Sequence, residues 1–284
     1  MKFKKIYVPI ARSLMLGLLS LSLVGCAIDF KAFTAGKSSR ETKSAQATAE
    51  VRQALAPSGV LRVGVYLGSP TSWVKDPKSG ESVGIALDLG KELAKRLNVP
   101  VQVVEFDRVA QVLDSLKDGK IDFTFTNATA VRAKDMDFTV PLVRLELGYL
   151  VAAASQLQSV TEIDKAGLRV GVSQGSSSQG VLTQLFKQAK VIPADSLAKA
   201  KNMLETKQID AFATNKGILF EMSDTLPGSQ VLQGRWGLEN LAIAIPKGRD
   251  AGREFVQSFA NNAGQSGLLN KVVVRSGLRG MAKD

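Results

Sequence analysis

The chain contains the same pair of segments twice, in the same order. "LRVGVYLGS" at 61–69 and "LRVGVSQGS" at 168–176 agree at seven of nine positions, and "IDFTFTN" at 121–127 is matched by "IDAFATN" at 209–215. The first segment of each pair is rich in β-branched residues and ends in Gly-Ser, which is typical of a buried strand entering a loop. Two matched segments in matched order predict a structural unit that is used twice.

Helical patterns lie between the repeated segments. "GIALDLGKELAKRL" at 84–97 spaces its Ile and Leu residues at helical intervals, and the strand-like "VQVVEF" at 101–106 follows it. In the second unit, helices are predicted over 178–189 and 196–207, around the short strand "KVIPA" at 190–194. Such alternation predicts two α/β lobes with mostly parallel sheets and right-handed crossovers.

The repeated segments also supply loops where ligands are expected. Ligands of open α/β sheets bind outside the carboxyl ends of the strands. Residues 68–69 and 126–127 form such loops in the first unit, and residues 175–176 and 214–215 form them in the second. We predict that these four loops line one cleft between the lobes, a position that small molecules favour.

Composition excludes several kinds of site. The chain has 284 residues, 45% of them hydrophobic, which is enough for a folded core. It has no histidine and one cysteine, so a histidine-based triad, an intramolecular disulfide and a Cys/His zinc site are excluded. The formal net charge is +11, but four of the cations fall within the first twelve residues, and no basic stripe alternates with aromatics. We therefore expect no nucleic-acid partner, no metal and no cofactor.

The amino terminus has the features of an export signal. A basic start is followed by an apolar run over 14–24, which is too short to span a bilayer, and then by small residues. "LVGC" at 23–26 resembles a bacterial lipobox, which implies removal of a signal peptide over 1–25 and lipid attachment to Cys26; a buried free thiol is the alternative. Residues 26–57 are predicted to form a lipidated tether with a short helix. We expect an exported protein on the periplasmic side, anchored to the membrane by lipid.

Several segments together resemble one family. "GVLRVGV", "SVGIALDLGKELAKRLNV", "TAVRAKDMDFTVPL" and "IPKGRD" are similar to the bacterial extracellular solute-binding proteins of family 3, the polar amino-acid receptors of ABC importers. The likeness covers about 58–280. It implies a type II periplasmic-binding-protein fold, with two α/β lobes joined by two hinge strands near 145–151 and 241–245. Lobe 1 is then expected at 58–146 plus 243–284, and lobe 2 at 147–242.

The resemblance implies a receptor rather than an enzyme. Its members capture an amino acid or related small carboxylate by hinge closure and present it to an ABC permease in the inner membrane, so a monomeric lipoprotein is expected here. Dehydratases acting on prephenate or arogenate use the same fold. If this chain were such an enzyme, Glu239 is the residue that we would nominate as the catalytic acid. A subunit that presents its ligand to a sensor is a third reading.

Arg132 is the central candidate for ligand binding. It occupies the position at which the resembling family holds the ligand's α-carboxylate, and a guanidinium offers a carboxylate two parallel donors. The alternative is a structural arginine paired with Asp135 or Asp137. Asn127 and Thr129 match positions that donate to the same carboxylate, although both residue types also form turns.

The second lobe supplies candidates that follow the family less closely. Ser176 and Ser177 match its carboxylate loop, which opens a helix whose amino terminus favours anions, although both could be simple caps. Asn215 stands where the family places an aspartate for the α-ammonium, and an amide is the weaker acceptor. Glu239 could replace that charge or could be a solvated loop acid. The ligand could therefore be a carboxylate that lacks a free α-amine.

Two aromatic residues are candidates for contact with the rest of the ligand. The aromatic shelf that the resembling family carries in the early loop of its first lobe is displaced here, and "YLGSPTSWV" offers Tyr66 and Trp73 instead. Either could stack on an apolar or planar group. A core position is the alternative for Trp73.

Overall fold

The computed structural model of the chain describes residues 47–153 and 155–283. The predicted signal peptide, Cys26 and the first part of the tether lie outside these residues. The helices are α1 Ala49–Leu55, α2 Ile85–Leu97, α3 Val109–Lys117, α4 Ser177–Leu185, α5 Leu197–Glu205, α6 Lys216–Asp224, α7 Asp250–Gln265 and α8 Leu268–Arg275. The strands are β1 Leu61–Tyr66, β2 Val74–Lys75, β3 Ser82–Val83, β4 Val101–Phe106, β5 Thr124–Asn127, β6 Met136–Phe138, β7 Val143–Val151, β8 Arg169–Ser173, β9 Lys190–Ala194, β10 Ala211–Asn215, β11 Gln230–Val231 and β12 Gly237–Pro246. None of the helices in the described ranges is long and apolar enough to cross a membrane.

The first lobe is built on parallel strands. β1 pairs with β4 in parallel register from Leu61↔Val101 onward, and Val63 forms a parallel bridge to Phe123 just before β5. The sheet continues through β12, which runs antiparallel to β5 and β6. Apolar side chains of α2 and α7 pack on this sheet, so that the core contains Leu89, Leu93, Leu97, Phe123 and Phe259.

The second lobe repeats this design. β8 lies between β9 and β10 and is parallel to both, while β7 runs antiparallel to β10 and pairs with β11 on its opposite edge. The predicted strand over 190–194 is β9, with the same limits. The predicted helix over 178–189 is shorter, because α4 ends at Leu185. Beyond it, the amides of residues 187–189 donate to the carboxylate of Asp164, at 2.8–2.9 Å, instead of continuing the helix.

Two long strands join the lobes. The first part of β7 pairs antiparallel with β12, from Leu241↔Val143 to Gly237↔Leu147, and its later part pairs with β10 of the second lobe. The later part of β12 pairs with β5 and β6 of the first lobe. Each strand therefore runs from one lobe into the other, and both predicted hinge segments fall within them.

The repeated Arg and Asp residues form the same ion pair in both lobes. The Asp122 carboxylate accepts from the backbone nitrogen, Nε and Nη2 of Arg62, at 2.9, 2.8 and 2.7 Å. Asp210 accepts from the corresponding groups of Arg169, at 2.8, 3.0 and 2.8 Å. The bidentate geometry is typical of strong Arg–carboxylate pairs. The aspartate of the repeated Ile-Asp motif thus links the first strand of each unit, β1 or β8, to the residues that directly precede β5 or β10.

The glycine of each repeated strand has an equally local role. A Cβ on Gly64 would lie 2.2 Å from Cδ1 of Ile121, and a Cβ on Gly171 would lie 2.4 Å from Cδ1 of Ile209. Each isoleucine comes directly before the paired aspartate and fills the space above its glycine. The sequence repeat therefore preserves one packing arrangement in both lobes.

The carboxy-terminal segment touches both lobes. α8 packs on α7 and α2 of the first lobe, and the chain then runs along β7, where Glu146 N donates to Gly280 O at 3.0 Å. Arg279 next forms an ion pair with Asp224 on α6 of the second lobe and stacks over Phe220. The tail is therefore a third connection across the hinge, beside β7 and β12.

Candidate functional site

A cleft lies where the strand ends of the two lobes meet, with a cavity volume of about 60 Å³. Its wall includes residues from all four loops predicted from the repeats, together with residues of β12. Seven of the predicted ligand-binding residues line it: Tyr66, Asn127, Arg132, Ser176, Ser177, Asn215 and Glu239.

Arg132 is held in place by neutral groups. It begins a short 3₁₀ turn after β5, and its Nη1 donates to Oγ1 of Thr126 at 2.9 Å and to the backbone oxygen of Asn127 at 3.2 Å. In the described ranges no carboxylate lies within 4 Å of this guanidinium. Burial lowers the pKa of Arg132, an effect that the nearby Glu239 carboxylate partly offsets. A buried cation without a paired anion favours an anionic ligand.

The acids that could have paired with Arg132 have other partners. Asp135 lies 3.0 Å from Nζ of Lys117, and Asp137 lies 3.1 Å from Nζ of Lys247. The structural pairing considered for Arg132 is therefore not the arrangement observed.

Two candidates lie away from the cavity wall. Oγ1 of Thr129 accepts from the backbone nitrogen of Arg132 at 3.2 Å, so it caps the turn that positions the guanidinium. Trp73 packs against the core of the first lobe, and its carbonyl accepts from the amides of Gly68 and Ser69. Their roles in the structure are to shape the two loops that carry cleft residues.

A hydrogen-bonded network crosses the cleft and ends on Glu239. Nδ2 of Asn127 donates to Oγ of Ser177 at 3.1 Å, and that hydroxyl donates to Oε1 of Glu239 at 3.0 Å. Nδ2 of Asn215 donates to Oε2 of Glu239 at 3.0 Å. Glu239 is 7% exposed and lies on β12, so it is not a solvated loop acid.

The first turn of α4 also faces the cleft. The Ser176 hydroxyl caps the helix by accepting from Gln179 N at 3.1 Å, while the Ser177 hydroxyl belongs to the network around Glu239. Amide groups at a helix amino terminus carry partial positive charge. The loop thus combines a helix cap with donors for an anion.

Ser173 is a cleft residue that the sequence did not single out. Its Oγ lies 3.1 Å from the hydroxyl of Tyr66, across the boundary between the lobes. Burial raises the pKa of Tyr66, so its hydroxyl stays protonated at neutral pH. Residues 66 and 173 occupy the same position in the repeated strand. Equivalent positions of a duplicated unit that face each other are the signal that could have identified this contact.

Residues 61–275 match the family model described as bacterial extracellular solute-binding proteins, family 3. The chain belongs to this family. The match confirms the predicted resemblance, and because the family is one of extracellular proteins, the chain is exported.

Solute-binding proteins of known specificity are similar over most of the chain. A glutamine-binding protein of an ABC transporter from Bacillus subtilis is 27% identical over 220 residues, which cover 76% of this chain and 78% of that protein. The structure of an ancestral arginine-binding protein bound to glutamine has a TM-score of 0.68 at 26% identity, covering 76% of this chain and 97% of the other. An ancestral amino acid-binding protein described as a precursor of cyclohexadienyl dehydratase has a TM-score of 0.67 at 25% identity, with coverage of 77% and 96%. The fold is the type II periplasmic-binding-protein fold, as predicted.

Asn215, which the resemblance singled out as a departure from the family pattern, has both ends of its amide engaged. Its Oδ1 accepts from Ile218 N at 3.1 Å and so caps α6, which turns Nδ2 toward Glu239. The amide oxygen is committed to the helix. Glu239 is therefore the charged acceptor at this end of the cleft, and Asn215 holds its carboxylate.

Proposed function

We propose that the chain is the substrate-binding lipoprotein of an ABC importer and that it binds an amino acid in the cleft between its lobes. The observation that carries the proposal is the pair of opposite charges on the cleft wall, Arg132 and Glu239, each held by neutral hydrogen-bonding groups. A zwitterion presents one group of each sign. Similar proteins are named as glutamine-binding and arginine-binding, and these names support an amino acid as the ligand.

The ligand would bridge the lobes through its two charged groups. Its carboxylate would bind Arg132 and the donors at the start of α4, and its ammonium would bind Glu239, which Asn215 and Ser177 position. The direct bonds from Asn127 to Ser177 and from Tyr66 to Ser173 would open and close with the lobes. A ligand shifts this equilibrium only if it binds the closed form more tightly, so contacts to both lobes are required.

Family membership and the amino-terminal sequence support delivery of the bound ligand to a membrane permease. We propose that the closed monomer is presented to a permease in the inner membrane, with lobe boundaries near the two hinge segments. The "LVGC" motif supports lipid anchoring at Cys26. A tether between the anchor and residue 47 would let the lobes reach the permease.

A thermal-shift screen of the purified protein tests the proposal. Amino acids and their deaminated analogues are added singly, and a ligand that binds only the folded state raises the melting temperature. At least one amino acid is expected to do so. If neither amino acids nor small carboxylates shift the transition, the receptor proposal fails.

Glu239→Gln is expected to weaken amino-acid binding by about 10- to 100-fold, because a hydrogen bond to a charged group contributes ~1.5–3 kcal/mol. The matched control is the 2-hydroxy acid with the same side chain, which lacks the ammonium and should bind both proteins equally. Calorimetry measures both affinities. Equal losses for the two ligands would assign Glu239 a purely structural role.

Gly175→Ala is expected to weaken binding by roughly 5- to 100-fold. Its Cβ would lie 2.6 Å from Cβ of Ala110 on α3, and overpacking of this kind costs ~1–3 kcal/mol in the closed form. Gly167→Ala is the matched control, since Gly167 also has a positive φ, +85° against +74°, but has open space around it. Both variants have an alanine at a positive φ and so share the backbone strain. Equal ligand affinities of the two variants by calorimetry would show that the contact with Ala110 is not the cause of weaker binding.

Dehydration of prephenate or arogenate is the second candidate function. The structural similarity to a dehydratase precursor favours it, and Glu239 is the available carboxyl group. We propose binding rather than catalysis, because the family consists of solute-binding proteins and the relatives matched over most of the chain are glutamine-binding proteins. Incubation with each substrate, followed by absorbance of the aromatic product, decides between them, and product formation would overturn our choice.

A further inference from the structure

We propose that the amino acid bound in this cleft has an uncharged side chain. The inference rests on the proposed function and narrows it, since receptors of this fold include proteins bound to arginine or to lysine. It follows from the number and sign of the charges that face the ligand.

The charged groups on the cleft wall can pair with the two charges of a zwitterion, but not with a third charge. Among the described residues that line it, Arg132 is the only cation and Glu239 the only anion. The α-carboxylate and α-ammonium of an amino acid use both. A third charge, on the ligand's side chain, would be removed from water without a partner, and an unpaired buried charge is strongly unfavourable.

Arg108, which directly precedes the lining residue Val109, is already paired. Its Nη1 donates to Oε1 of Gln174 at 3.1 Å and lies 3.7 Å from the Asp195 carboxylate. The side chain of Asp195 is 78% exposed. A ligand charge that reached this pair would have to displace one member of it, so the pair does not supply the missing counter-charge.

The remaining polar groups on the wall suit a neutral side chain. They are mainly hydroxyls, which can both donate and accept. Six of them belong to Tyr66, Ser69, Thr71, Ser72, Thr124 and Thr214. Hydroxyls can form hydrogen bonds with an amide or an alcohol, but they cannot neutralise an ammonium, a guanidinium or a carboxylate.

Isosteric ligand pairs test the inference on the unaltered protein. Glutamine is compared with glutamate, citrulline with arginine, and norleucine with lysine, by calorimetry at pH 7, where the second member of each pair carries a charged side chain. Within each pair that binds, the neutral member is expected to bind at least about tenfold more tightly. A charged member that binds as tightly as its neutral isostere, or more tightly, overturns the inference.

Histidine provides a second test in which the ligand itself is titrated. Its side chain has a pKa of about 6.5, so the neutral fraction rises about tenfold between pH 5.5 and pH 8. Histidine affinity is expected to rise by about that factor, while glutamine affinity stays constant. The protein contains no histidine, and the ionisable groups on the cleft wall are Arg132, Glu239 and Tyr66. Equal histidine affinity at both pH values contradicts the inference.

The outcomes separate this inference from the proposed function. If neither amino acids nor small carboxylates bind, the receptor proposal itself fails. If a charged amino acid is preferred, and its binding is lost in Arg132→Ala, the receptor proposal stands and only the side-chain inference is wrong.

Discussion

Arg132→Ala is expected to weaken amino-acid binding by about 2–5 kcal/mol, which is roughly 30- to 4,000-fold. The guanidinium is half-buried at the cleft and donates only to neutral oxygens of Thr126 and Asn127 in the described structure. Its removal leaves the ligand's carboxylate desolvated without its main cation. Isothermal titration with the best ligand from the screen measures the change.

Lys134→Ala is the matched control for this prediction. Lys134 lies in the same 3₁₀ turn, carries the same charge and is exposed. Long-range attraction between the ligand and a solvent-exposed cation is weak at physiological salt. Its loss should leave affinity nearly unchanged. Unchanged affinity in Arg132→Ala, or an equal loss in both variants, would remove Arg132 from the binding site.

Asp122→Ala is expected to lower the free energy of unfolding by about 3–5 kcal/mol. The carboxylate is fully buried, and its Oδ1 lies 2.7 Å from Nη2 of both Arg62 and Arg249. Removing the acid leaves two largely buried guanidinium groups facing each other without an anion between them. Urea denaturation followed by circular dichroism gives the change in the midpoint and in the free energy.

The repeat supplies the control, because Asp210→Ala removes the same ion pair from the second lobe. The side chain of Asp210 is 29% exposed, so solvent screens its pair with Arg169, and a loss of about 1 kcal/mol is expected. Arg169 holds the pKa of Asp210 below its usual value. This contribution is present above the unfolded-state pKa of ~3.9 and is lost as the pH falls through the lower folded-state value. If the two substitutions lower the free energy of unfolding equally at pH 7, the greater burial of Asp122 does not make its ion pair more stabilising.

Much of the architecture could be predicted from local patterns. The helix over 84–97 and the strand over 190–194 follow from short-range periodicity, and the structure has them at or within a residue of the predicted limits. Each repeated segment contains a strand, as its β-branched residues predict. The early end of α4 could not be predicted in this way. It depends on the Asp164 carboxylate, more than twenty residues away in the chain.

The candidate site was predictable residue by residue but not as an arrangement. Sequence comparison singled out Asn215 as a departure and Glu239 as a possible compensation, in separate segments. The structure joins them by a hydrogen bond of 3.0 Å and turns the amide so that it positions the acid. Neither the contact nor the direction of the amide is encoded in spacing, because strand pairing between β7, β10 and β12 brings the two residues together.

Strand, helix and motif signals are local, so the amino-acid sequence was enough to predict a duplicated α/β protein that resembles family 3, with an arginine at the expected place. The folded arrangement was needed to distinguish the polar residues that serve packing from those that face the cleft. Asp122 and Asp210 recur in the repeated segments, and the structure bonds them to arginines in their own lobes. The sequence left Glu239 open between a cleft charge and a solvated loop acid, and the structure has it as the one carboxylate that lines the described cleft. The physical reason is that a charged side chain's role depends on its desolvation and its partners, which are fixed only when distant strands pair.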